Sequence, residues 1–100
     1  MEIIIRYDIY LLMILILADS IMVIIGVIIF SYLESWGFID SLYFTMTTML
    51  AVGYGDIIPT NPISKMLSIA YAIIGLTIFL IIVSILVKII GNKIKREMEK

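Results

Sequence analysis

Side chains that usually carry reaction chemistry are scarce in this sequence. Histidine and cysteine are both absent, which excludes imidazole acid–base work, thiol nucleophiles, disulfides and zinc sites built on those ligands. The acids are scattered and no nucleophile stands beside a base, so the chain does not read as an enzyme. One stretch is out of place among its apolar neighbours: "MLAVGYGDIIP" at 49–59, where Gly53 and Gly55 flank Tyr54, Asp56 follows and Pro59 closes the segment. A phosphate-cradling loop would need Gly-Lys-Ser/Thr before a soluble helix, yet no lysine follows Gly55 until Lys65. A plain surface turn is the other simple reading of such a segment.

The elements around that stretch narrow the choice. The 100 residues are 63% hydrophobic and 15% charged, against about half and about a quarter in a globular domain. A bilayer needs about 20 apolar residues in a helix. Two runs meet that length, at about 9–33, interrupted by Asp19, and at about 63–90. The first is too long for the apolar core of a cleavable signal, and a retained helix is expected there. Arg6 precedes the first run, while Lys88, Lys93, Lys95, Arg96 and Lys100 end the second; between them only Lys65 is basic. That asymmetry predicts a multi-pass protein of the cell membrane with both termini cytoplasmic. The net charge of -1 gives no general attraction to nucleic acid.

Between the spans, Asp40-Ser41 reads as a helix cap, followed by "LYFTMTTML", free of glycine and proline. A greasy helix at about 40–50 is too short to cross and reads as re-entrant or buried. The glycine-containing segment at 51–56 follows, and then two prolines turn the chain into the second span. Non-helical backbone at membrane depth must be buried in protein or line a watery cavity, because lipid satisfies no hydrogen bonds. One chain with two spans cannot enclose such a segment. If it dips into the membrane, several copies must surround it.

"AVGYGD", with Val52, Gly53, Tyr54, Gly55 and Asp56, closely resembles the T-V-G-Y-G-D selectivity signature of potassium channels, with Ala51 where threonine is usual. In its setting of short helix and two spans, the chain resembles the pore module of prokaryotic two-transmembrane potassium channels from about Leu12 to Ile90. That resemblance implies an all-α membrane protein: two transmembrane helices, a re-entrant pore helix and a selectivity filter, assembled as a fourfold-symmetric homotetramer that conducts K+ passively. In the family's established mechanism, main-chain carbonyls, here those of Ala51, Val52, Gly53 and Tyr54, replace the ion's water shell. Aligning successive carbonyls needs backbone angles of alternating hand, which Gly53 and Gly55 tolerate.

By the same resemblance, Val52 and Tyr54 point away from the axis, and Tyr43 and Phe44 stand where an aromatic cuff packs behind the filter. Asp56 anchors the filter from above, with Tyr43 as partner, and the Thr47 and Thr48 hydroxyls support it from behind. Ala51 removes the hydroxyl that floors the innermost ion site, so that site is expected to be weakened while the other rings persist. The C-terminal end of the short helix, about half a negative charge, favours a cation in the cavity.

In the second span, Gly75 aligns with the glycine at which the family's inner helix bends on gating; close approach to the short helix is the competing role. Leu76, Phe79 and Val83 follow at cavity-lining spacing. Val83, Ser84 and Val87 are candidates for an inner constriction, although helix packing explains that stripe equally well. Asp19 has no role in the resemblance and is expected within one long helix. The tail at 91–100 reads as a cytoplasmic extension whose bases can attract anionic headgroups. Many relatives continue there into a cytoplasmic regulatory domain that this sequence lacks. A weakly selective cation channel and a non-conducting membrane anchor remain the alternatives.

Overall fold

The computed structural model describes residues 2–100 as three helices: α1 (Glu2–Glu34), α2 (Phe38–Met49) and α3 (Pro62–Met98). At 1.5 Å per residue, the 37 residues of α3 make about 55 Å of helix, which accounts for the 57 Å long axis of the molecule. Both long helices are apolar enough to cross a membrane, each with a peak mean hydropathy of 2.9. Only 6% of the most apolar window of α1 and 17% of that of α3 are buried within the chain. A core helix of a water-soluble domain would be mostly buried, so these faces are built to meet lipid or other protein.

The two long helices run antiparallel. Asp8 lies against Lys88, the Tyr71 hydroxyl donates to the Met22 carbonyl at 3.0 Å, and the Glu34 carboxylate meets Thr60. α2 lies across them near the end opposite the chain termini. Phe30 stands at the junction. Its ring centroid is 5.0 Å from Phe44 and 5.6 Å from Tyr71, both edge-on, the preferred aromatic geometry. Trp36 adds a further edge contact to Phe44 at 5.0 Å.

Small residues let the three backbones approach. Ser41, Thr45 and Ser64 are fully buried. A Cβ on Gly26 would stand 2.7 Å from Thr45 Cγ2 and 3.0 Å from the Tyr71 ring. Dispersion through close contact drives helix association where water cannot. The three-helix junction therefore rests on the missing side chain of Gly26.

Helix boundaries differ from the sequence expectations in two places. α2 is entered from Gly37, its N-cap, and Asp40 and Ser41 lie inside its first turns. The carboxylate of Asp40 there complements the helix's positive end. α3 continues to Met98, through the tail expected as a separate extension. α1 is unbroken through Asp19, as expected, and the Ser20 hydroxyl bonds back to the Ile16 carbonyl at 2.8 Å.

Candidate functional site: the segment from Ala51 to Asp56

α2 ends at Met49, and the chain leaves it through two hydrogen bonds. Ala51 N donates to the Thr48 carbonyl at 3.2 Å, and Val52 N donates to the Thr47 carbonyl at 2.9 Å. The last carbonyls of a helix lack internal partners, so the departing strand takes them and is tied to the helix end. Beyond Val52 the backbone is free of such bonds: among the described residues, the amides of Gly53 to Asp56 form none outside the helices.

The backbone alternates in hand along this segment. φ is +59° at Ala51, +57° at Gly53 and +80° at Gly55, while Val52 and Tyr54 stay on the ordinary side. Nothing lies within 4 Å of a Cβ built on Gly53 or Gly55, so these glycines are required by conformation and not by space. Ala51 is the unforeseen member. The sequence reading gave it a carbonyl and a missing hydroxyl, yet it also holds a left-handed conformation that costs an L-residue about 1–2 kcal/mol. All six residues from Ala51 to Asp56 are exposed in the single chain.

The supporting residues divide. Tyr43 and Asp56 come together: Asp56 holds the Tyr43 phenol above its ordinary pKa, first through side-chain hydrogen bonding, then with desolvation and the carboxylate's charge. Phe44 points the other way, into the core against Phe30 and Trp36. The Thr47 hydroxyl bonds back to the Tyr43 carbonyl at 2.8 Å and the Phe44 carbonyl at 3.2 Å. Thr47 and Thr48 thus hold the segment through their carbonyls, where their hydroxyls had been expected to act.

Gly75 is buried against α2. A Cβ there would sit 2.8 Å from Met49 Cβ and 3.0 Å from Met49 Cα, so the close-approach role is directly visible, two residues before Ala51. Leu76 and Phe79 are half-buried. Val83, Ser84 and Val87 lie on an exposed side of α3, away from the buried line of Tyr71, Gly75, Ile82 and Ile85. Asp19 lines an apolar cavity of about 430 Å³ with Met46, Met49, Leu50 and Ile82, below the C-terminal end of α2.

Glu34 has a role that sequence reasoning did not foresee. Its Oε1 accepts from Thr60 N at 2.9 Å and Asn61 N at 2.8 Å, and its Oε2 accepts from the Thr60 hydroxyl at 2.9 Å. The end of α1 is thereby clamped to the start of α3, where Asn61 Oδ1 caps Ile63 N at 2.8 Å and Pro62 opens the helix. An acid directly after an apolar run, with Asn-Pro ahead of the next, was the available signal.

Comparison with known proteins adds to this geometry. Residues 9–92 match the sequence profile of a family described as "Ion channel". The chain is 41% identical over 46 residues to two pore potassium channel a of Oryza sativa subsp. japonica, covering 46% of this chain and 13% of that protein. It is 43% identical over 47 residues to the TWiK family of potassium channels protein 18 of Caenorhabditis elegans, covering 47% and 10%. A voltage-gated delayed rectifier potassium channel of Homo sapiens is 45% identical over 38 residues, covering 38% and 4%. The chain thus spans a small part of the length of these relatives.

Proposed function

The chain belongs to the ion channel family, and we propose that it is the pore subunit of a potassium-selective channel of the two-transmembrane type, conducting K+ passively as a homotetramer. The observation that carries this reading is the alternating hand at Ala51, Gly53 and Gly55, in a backbone whose carbonyls, and whose amides beyond Val52, are left unpaired by the chain itself. Alternation turns successive carbonyls to one side, where rings of oxygen from four copies replace the water around a dehydrated cation. The relatives are potassium channels by name, which supports K+ as the transported substrate.

In this reading, both termini lie in the cytoplasm and the Ala51–Asp56 segment faces outward across the membrane from them. Carbonyls of Ala51, Val52, Gly53 and Tyr54 bind the ion, Gly55 completes the turn, and Asp56 with Tyr43 braces the outer end. α2 aims its negative end at the cavity. Leu76 and Phe79 line that cavity; Val83, Ser84 and Val87 form its inner constriction, and α3 opens it by bending at Gly75. A cytoplasmic regulatory domain outside these 100 residues sets the gate.

Ala51 favours a second reading, a weakly selective cation channel, because the innermost site lacks a hydroxyl ring. Purified protein in potassium-loaded vesicles tests the proposal. Potassium efflux that exceeds sodium efflux by at least about tenfold is expected, equal fluxes establish the weakly selective reading, and no flux leaves a membrane anchor.

A further inference from the structure

Asp19 is the one acid within the span at about 9–33, and the proposed conduction mechanism does not use it. It lines the cavity of about 430 Å³ below the end of α2. Its Oδ1 is buried and, among the described residues, has no hydrogen-bond partner. The neighbouring Ser20 hydroxyl is already taken by the Ile16 carbonyl at 2.8 Å. The remaining walls, Val23, Met46, Met49 and Ile82 among them, carry aliphatic or thioether side chains.

A carboxylate among apolar groups calls for a cationic partner. The chain supplies none at that depth, because no lysine or arginine stands between Arg6 and Lys65 or between Lys65 and Lys88. Lys88 is held by Asp8 at 3.2 Å, and about 16 Å of helix separates Asp8 from Asp19. Lys65 lies in the first turn of α3, at the opposite end of the molecule. Identical copies around an axis repeat the same gap, so self-assembly brings no base either. The C-terminal end of α2, where Met46, Met49 and Leu50 wall the cavity, adds about half a negative charge.

The walls decide which cation fits. A hard metal ion wants about six or more oxygen ligands, and a single carboxylate falls far short. An ammonium with apolar arms needs one acceptor and uses the rest of the surface. The volume lies within the roughly 300–1,000 Å³ of small-molecule sites, and methionine walls adapt to varied shapes. A lipid headgroup amine stays at the interface, and the 16 Å of helix above is about half of the roughly 30 Å hydrocarbon layer.

We propose that this cavity binds a protonated lipophilic amine dissolved in the bilayer, its N–H donating to Asp19 and its alkyl groups lying against Met46, Met49 and Ile82. In the channel reading the amine touches Met49, which packs on Gly75 and stands two residues before Ala51, so it reaches the base of the 51–56 segment. Binding itself does not depend on that reading.

Equilibrium dialysis of the purified full chain in neutral detergent, with labelled tributylammonium at neutral pH and protein-free micelles as the blank, tests the site without any current. Saturable binding is expected, and Asp19→Asn should weaken it at least about tenfold, the scale of a hydrogen bond to a charged group. Ile24→Trp keeps the acid but narrows the cavity from its exposed rim, and should weaken binding about fivefold. Asp40→Asn, a distant exposed acid, should change it less than about twofold. Binding unchanged in either D19N or I24W, or an equal loss in D40N and D19N, overturns the site. Tetrabutylammonium, which has the charge but no N–H, should bind about fivefold more weakly; equal affinity overturns the contact with Asp19. Phosphatidylethanolamine should not displace the amine, and displacement by it overturns the choice of a bilayer-dissolved ligand.

Discussion

Ala51 carries two consequences at once. Its left-handed φ of +59° is less costly for alanine than for a β-branched residue, which is a true outlier there. Its methyl, however, offers an ion no oxygen. Ala51→Thr therefore exchanges backbone strain for a ring of hydroxyl ligands, and internal barium block of the channel is expected to tighten about tenfold, the scale of one good ligand interaction. Unchanged block would mean that the innermost site does not lie at residue 51.

Tyr43 gives a second residue-scale test. Asp56 raises its pKa, so the neutral phenol is favoured in the folded state. That contribution is complete below the ordinary phenol value of about 10 and is lost as pH rises through the raised folded value. Heat stability of the assembled protein should fall over that alkaline range, and Tyr43→Phe should remove this part of the fall.

At the scale of elements, the α2–α3 contact and the clamp on α3 decide how firmly the 51–56 segment is held. Alanine is favoured over glycine in a helix by about 1 kcal/mol, whereas forcing a methyl into the 2.8 Å gap to Met49 costs about 1–3 kcal/mol. The clash wins, so Gly75→Ala should lower thermal stability. Moving the glycine across the contact, in G75A/M49G, should recover part of that loss. If Gly75 serves only to bend α3, the second change recovers nothing. The Glu34 clamp is tested by Glu34→Ala, which strands the amides of Thr60 and Asn61 that now donate to it. Faster decline of current during sustained opening is expected, with Glu34→Gln milder because one acceptor oxygen survives.

These contacts also mark where sequence reasoning ends. Gly53 and Gly55 were legible because their requirement is local: a positive φ announces itself as glycine within a short segment. Gly26 and Gly75 are required by space, and space depends on which helix crosses where. Gly75 was noticed only through the family resemblance, and Gly26 was not noticed at all. Spans and the short helix follow from hydropathy, run length and the lack of Gly and Pro, all properties of contiguous residues. The Glu34 clamp joins distant positions, and only packing reveals it. The reading of Thr47 and Thr48 rested on their hydroxyls, whereas their carbonyls take the Val52 and Ala51 amides, because a helix terminus offers unpaired carbonyls.

For the whole molecule, a single chain leaves the Ala51–Asp56 backbone exposed and most of its long helices bare. Membrane physics does not tolerate unpaired backbone against lipid, which is why the proposed channel closes copies of the chain around this segment; native mass spectrometry should then find four chains of 11.4 kDa each. The central claim is that backbone oxygens turned inward by alternating φ distinguish K+ from Na+. Its most direct measurement is the reversal potential of the purified protein in a planar bilayer, with potassium on one side and sodium on the other. A reversal close to the potassium equilibrium potential is predicted; a reversal near zero, with sodium carrying comparable current, contradicts the account.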